Sequence, residues 1–250
     1  MDILFDSVPL WQQRTALLLG KAALDRLTDS HVLVVGLGGV GAYAAEMLCR
    51  AGVGSMTVVD GDVIETSNRN RQLPALCSTE GKSKAALLHA RLQDINPDCQ
   101  INALDEFVRD EKTDQLLETE FDYVVDAIDT LLPKVNLIAK CLERSLPLVS
   151  SMGSGGKCDP CQVSIVDVSK SYKCPLAKII RKRLHRRGIF DGFKAVFSPE
   201  DVPKHAVFAY ESDENGKSGS VVGTISYMPA IFGCCCASAV IRDLTKITEK

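Results

Sequence analysis

The sequence predicts an α/β protein with a Rossmann-like, mostly parallel sheet, helices on both faces and an elaborated C-terminal half. Three observations carry that expectation. Short β-branched runs alternate with helix-patterned segments as far as residue 151, a glycine-rich turn follows the first run, and an aspartate closes the second. Parallel strands need crossover connections, usually helices, so strict alternation implies a sheet covered on both sides.

Each element has its own signal. HVLVVG (31–36) and SMTVVD (55–60) read as buried strands, and residues 39–52 between them place Val40, Ala44, Met47, Leu48 and Ala51 at helical spacing. Residues 82–95 form an amphipathic helix stopped by Asn96-Pro97. QINALDEF (100–107), DYVVDAI (122–128) and LPLVSS (146–151) supply three more strands, with helices near 111–119 and 133–144. Beyond them, QVSIVDVS (162–169) and FKAVFS (193–198) read as strands flanking a basic helical insertion at 170–190. Residues 1–28 form an N-terminal helical segment packed on the body through Trp11, Leu17, Leu18, Leu19, Leu24 and Leu27. The simplest organisation is one domain over 1–250.

Composition narrows the function classes. A net charge of −3 excludes a wholesale polyanion binder while allowing a local basic patch. The ten cysteines are dispersed through a large chain whose N-terminus has no basic, then apolar, leader pattern, which points to free thiols in the cytoplasm. No charged residue lies between Lys217 and Arg242, long enough to raise the question of a membrane span. Pro229 divides that stretch into SVVGTISY and AIFGCCCASAVIRDL, so a buried strand followed by a buried helix is expected, without an integral span. Peripheral membrane contact by this segment stays open.

Gly36-Leu37-Gly38-Gly39-Val40-Gly41 follows a strand and opens a helix, where backbone N–H groups and close approach suit a phosphate. Asp60, nineteen residues after Gly41, stands where a carboxylate accepts from ribose hydroxyls. To this point a nicotinamide and ATP fit equally. Past Asp60 the chain reads Gly61-Asp62-Val63-Ile64-Glu65-Thr66-Ser67-Asn68-Arg69-Asn70-Arg71-Gln72, then Gly81-Lys82-Ser83-Lys84. Cations clustered there suit a triphosphate attacked at its α-phosphorus, because fixed positive charge stabilises the developing phosphoryl charge.

With Asp126-Ala127-Ile128-Asp129 added, these motifs resemble those of the ubiquitin-activating superfamily, whose bacterial members adenylate carboxylates. The resemblance implies that Gly36, Gly38, Gly39, Gly41, Asp60 and Asp62 bind ATP. It assigns the phosphates to Asn68, Arg71 and Lys84, and Mg²⁺ to Asp129, a hard cation for an oxygen donor. Arg14 matches an arginine that family members send into the partner subunit's site, which implies a homodimer. The catalytic set is therefore Arg14, Arg71, Lys84 and Asp129.

Superfamily members that activate ubiquitin-like proteins usually carry two C-x-x-C pairs on zinc. Here only Cys158-Asp159-Pro160-Cys161 is present, and Cys234-Cys235-Cys236 has the wrong spacing, so no zinc is expected. The stretches from Pro147 to Gly156, Asp159-Pro160, Val196 to Glu200, Gly219-Ser220 and Pro229 to Leu244 resemble the tRNA threonylcarbamoyladenosine dehydratases instead. Between Lys170 and Arg187 lie eight cations and no acid, with Leu176, Ile180 and Leu184 every four residues. Lys178, Arg181, Lys182, Arg183, Arg186 and Arg187 then form a basic outer face suited to a tRNA backbone. The resemblance implies ATP-dependent dehydration of the modified adenosine beside the anticodon, with a cysteine desulfurase or sulfur acceptor as a further conceivable partner. Rival readings are a zinc-free adenylyltransferase for a sulfur-carrier protein, a non-catalytic nucleotide-binding scaffold, and a nicotinamide dehydrogenase.

Overall fold

A computed structural model of the chain describes residues 8–210 and 219–246. Seven strands form one sheet: β1 (His31–Val35), β2 (Ser55–Val59), β3 (Gln100–Leu104), β4 (Tyr123–Asp126), β5 (Leu148–Ser151), β6 (Ser164–Asp167) and β7 (Lys194–Phe197). Their spatial order is β3-β2-β1-β4-β5-β7-β6, every neighbouring pair being parallel except β7 with β6. This is the Rossmann-like sheet that the alternation predicts. The order reverses between β1 and β4, and a crevice opens outside their carboxyl ends at such a switch point.

Helices α3 (Gly41–Ala51), α4 (Lys84–Ile95) and α8 (Tyr227–Thr245) cover one face, and α5 (Glu111–Leu116), α6 (Leu131–Glu143) and α7 (Pro175–His185) the other. The side-chain period of two decides which strand residues meet which layer. Val32 and Val34 join the cluster with Leu48, Leu88, Phe232 and Val240, while Leu33 and Val35 join that with Leu137, Ile138 and Ile180. Both sides of β1 are thus buried, and its sequence is apolar without alternation. Two short helices, α1 (Gln13–Leu19) and α2 (Lys21–Thr28), precede the sheet.

Helix α8 has the length and composition to cross a membrane, yet half of it is buried within the protein. Met228, Phe232, Cys236 and Val240 lie in the core, and Gly233 packs so tightly on α3 that a Cβ would stand 2.4 Å from the Val40 carbonyl. The strand expected before it differs from its prediction. It shortens to β9 (Gly219–Val222) and pairs only with β8 (Val207–Tyr210), a strand the pattern reading missed. Among the described residues this ribbon has two strands, and Phe208 and Val221 on it are exposed rather than buried.

The N-terminal segment also packs differently. Leu24 and Leu27 are buried, but Trp11, Leu17 and Leu18 are exposed, Leu18 by 83%. Residues 1–7 of that segment lie outside the described residues. The basic stretch 170–190 is a packed part of the body rather than an appendage: α7 lies on α6 through buried Ala177, Ile180 and Leu184.

Candidate active site

The crevice at the switch point is a cavity of about 490 Å³. Its floor is two turns in close contact. Gly36 leaves β1 with φ +88°, and a Cβ there would lie 2.7 Å from the Ala127 carbonyl beyond β4, so only glycine fits. Gly38 and Gly39 line the cavity. Gly41 does not: a Cβ on it would strike the Gly36 carbonyl at 1.7 Å, so its part is to let α3 start close beneath the turn.

Asp60 ends the strand beside β1. Its Oδ2 accepts from the Leu37 backbone N–H at 2.6 Å and its Oδ1 from the Asp62 N–H at 2.8 Å. The carboxylate therefore braces the glycine turn as well as facing the cavity. Burial raises its pKa, opposed by the Leu37 N–H and by the nearby Lys84 charge. Lys84 opens α4, where Ser83 caps the helix by accepting from the Ala86 N–H. The Lys84 side chain is nearly buried and pairs with Asp62 Oδ2 at 3.0 Å. Both residues line the cavity, so the lysine is already held at its wall.

Arg71 reaches the same cavity. One of its terminal nitrogens donates to the Ser67 carbonyl and to Asn70 Oδ1, leaving other guanidinium donors available for phosphate. Gln72 beside it also lines the cavity, and among the described residues its buried Oε1 has no hydrogen-bond partner. Asn68 stands apart from these groups. It is buried and absent from the cavity wall, and its Oδ1 accepts from the Glu65 N–H, which shapes the turn presenting Arg71.

Asp129 and Thr130 also line the cavity, just past the Ala127 turn that Gly36 abuts, with Asp129 exposed. Among the described residues no group of three or more His, Cys, Asp or Glu is placed to hold a metal by itself. Arg14 is exposed on α1 and is not part of the cavity wall. Cys158 and Cys161 are exposed and free, and Cys174 is buried.

Sequence reasoning missed part of the wall. Glu106, Phe107, Val108 and Arg109 line the cavity, with the Arg109 guanidinium 4.8 Å over the Phe107 ring. The pattern reading had run that segment into a strand, but β3 ends at Leu104, and the turn that follows crosses the crevice. Its position past the carboxyl end of a strand of the parallel sheet was the available signal. Lys134 was missed too. Its Nζ pairs with Asp126 Oδ2 at 2.8 Å, both side chains being wholly buried, and donates to the Ile128 carbonyl at 3.0 Å.

The ThiF family model matches residues 12–250. The chain belongs to the ThiF family. It is 40% identical over 243 residues to the tRNA threonylcarbamoyladenosine dehydratase of Bacillus subtilis, covering 94% of this chain and 95% of that protein. The Escherichia coli protein of the same name is 42% identical over 177 residues, covering 70% of this chain and 66% of the relative. A crystal structure of an E. coli tRNA N6-threonylcarbamoyladenosine dehydratase in complex with ATP superposes with a TM-score of 0.84 at 34% identity, covering 98% of both chains.

If Asp60 braces the turn, Asp60→Ala leaves two backbone N–H groups without their acceptor. Charged hydrogen bonds of this kind contribute about 1.5–3 kcal/mol, so the urea midpoint should fall. Nucleotide affinity should fall with it, by at least about tenfold. A normal midpoint together with normal affinity would contradict both roles.

Proposed function

We propose that the chain is an ATP-dependent tRNA threonylcarbamoyladenosine dehydratase. The observation that carries this reading is similarity along almost the whole length of a relative bearing that name, α7 and the C-terminal half included. The glycine turn, Arg71, Lys84 and Asp129 converging on one cavity are what an adenylating step needs.

In this reading the triphosphate lies over the glycine turn and the open end of α3, where backbone N–H groups and the helix dipole favour negative charge. Asp60 and Asp62 bind from the ribose side, and Phe107 with Val108 offers an apolar surface for the base. The threonyl carboxylate of the modified nucleoside attacks the α-phosphorus, the bond to the β-phosphate oxygen breaks, and pyrophosphate leaves. Arg71 and Lys84 stabilise the added equatorial charge, Lys84 by exchanging Asp62 for a phosphate oxygen. Asn68 acts through the turn that carries Arg71. The carbamoyl group of the same nucleoside then attacks the acyl carbon, a ring closes and AMP departs with one carboxylate oxygen. The net result is loss of one water from the nucleoside and cleavage of ATP to AMP and pyrophosphate. Nucleophile and electrophile belong to one molecule in the second step, so positioning supplies most of the rate.

Asp129 suits magnesium, which takes one or two carboxylates together with substrate phosphates and needs no protein cage. When bound it neutralises phosphate charge. Arg14 serves the partner's site in a homodimer. Its absence from its own cavity wall and the exposed Leu10, Trp11, Leu17 and Leu18 around it favour that arrangement, since apolar side chains gathered on one surface suit a protein partner. The chain works in the cytoplasm, where its thiols stay free.

The tRNA backbone lies against α7. Lys178, Lys182, Arg186 and Arg187 are exposed there, whereas Arg181 turns inward to the Ser171 hydroxyl and Arg183 is half-buried. A zinc-free adenylyltransferase for a sulfur-carrier protein would have no use for this face. Reversing Lys178, Lys182 and Arg186 to Glu should weaken tRNA binding strongly and flatten its salt dependence by roughly 0.7–0.9 in log–log slope per lost phosphate contact. ATP affinity should hold. Unchanged tRNA affinity and slope in filter binding would favour the carrier-protein reading.

Arg14→Ala and Asp129→Ala should each be inactive. Mixed as heterodimers they should recover partial turnover, because one hybrid site draws both intact residues. Heterodimers that form without any recovery would overturn the assignment of Arg14 to the partner's site.

A further inference from the structure

We propose that Lys134 is a positioning residue for the adenylation step, acting through Asp126 to fix the turn that carries Asp129. This inference deepens the function proposed above and rests on it for the role of Asp129. A lysine with no exposed side-chain surface is rare, and an ion pair that deep is costly unless each remaining polar site is filled. Here they are filled in one direction. Asp126 Oδ2 receives Lys134 Nζ at 2.8 Å and the Ser150 hydroxyl at 2.6 Å, while Oδ1 receives the Ile128 backbone N–H at 3.1 Å. Lys134 Nζ donates in addition to the Ile128 carbonyl at 3.0 Å. Both backbone groups of Ile128 are therefore held by the pair.

Ile128 lies between Ala127, whose carbonyl abuts Gly36, and Asp129 on the rim. The Ala127 N–H donates to the Val35 carbonyl at 2.8 Å, so the turn is anchored at one end by β1 and in the middle by the pair. Among the described residues Asp129 itself makes no comparable contact, and it is exposed. Lys134 sits in the first turns of α6, bonded by its own N–H to the Thr130 carbonyl, and so ties the helix to the turn. An apolar pair of similar volume would pack the same space. What it would lack is a grip on Ile128.

The test uses the full chain with Asp126→Leu and Lys134→Met together, which removes both buried charges and both hydrogen bonds to Ile128 at once and so avoids stranding a charge. Four quantities are read: melting temperature, backbone hydrogen exchange at Ile128 without nucleotide, ATP affinity with and without magnesium, and turnover. The double variant should melt close to the parent. Ile128 should exchange faster, the magnesium-dependent part of ATP affinity and kcat should each fall roughly 10–100-fold, and ATP affinity in chelator should stay. Parental exchange at Ile128 would overturn the positioning device whatever the chemistry. Faster exchange with parental kcat and magnesium response would reduce the pair to packing and overturn the catalytic half. A parent lacking tRNA dehydration but keeping magnesium-dependent ATP binding would sink the proposed function while leaving the device standing on the exchange and binding results.

Discussion

The approach of the Gly36 turn to the Ala127 carbonyl, with 2.7 Å where a methyl group would have to sit, is the constraint on which the site depends. It brings the carboxyl ends of β1 and β4 together at the point where strand order reverses, and everything that faces the cavity is referenced to that contact. Gly41 lets α3 begin immediately under the turn, and Asp60 ties the Leu37 N–H back to β2. On the far side Asp126 and Lys134 hold the turn that the glycine abuts. Two backbone segments are thus pinned from opposite sides before any ligand arrives, the preorganisation that charge-stabilising catalysis needs.

Much of this was legible in the sequence because the physics is local or periodic. Strands buried on both faces read as short apolar runs, and β1, β2, β4 and β5 lie where those runs lie. The glycine turn and Asp60 follow the strand–turn–helix units that present them, and Arg71, Lys84 and Asp129, singled out through the family resemblance, line the same cavity. What stayed hidden depends on tertiary contacts. Lys134 sits in a helical segment where a lysine normally reads as solvated, and only the fold brings Asp126 to it. Asn68 carries the right identity for a ligand contact, but its amide oxygen is taken up in the turn. The stretch that holds β9 reads as a buried strand because its residues are apolar, and composition alone does not say whether a second layer exists to cover it.

The same division explains how the basic segment behaves. Its amphipathic period placed Ile180 and Leu184 inward correctly, since burial follows the helical repeat. Charge counting could not tell which cations remain free. Arg181 is spent on Ser171, and the usable face is narrower than the eight cations of the sequence suggest. Against a net charge of −3, that local stripe is the feature on which the proposed tRNA contact rests.

The most direct test is chemical. The full chain is incubated with ATP, magnesium and tRNA bearing threonylcarbamoyladenosine, and the nucleosides are then released and weighed by mass spectrometry. The account predicts that the modified adenosine loses one water, with AMP and pyrophosphate formed in step and no reaction without ATP. An unchanged nucleoside, together with transfer of AMP to the C-terminus of a sulfur-carrier protein, would contradict it.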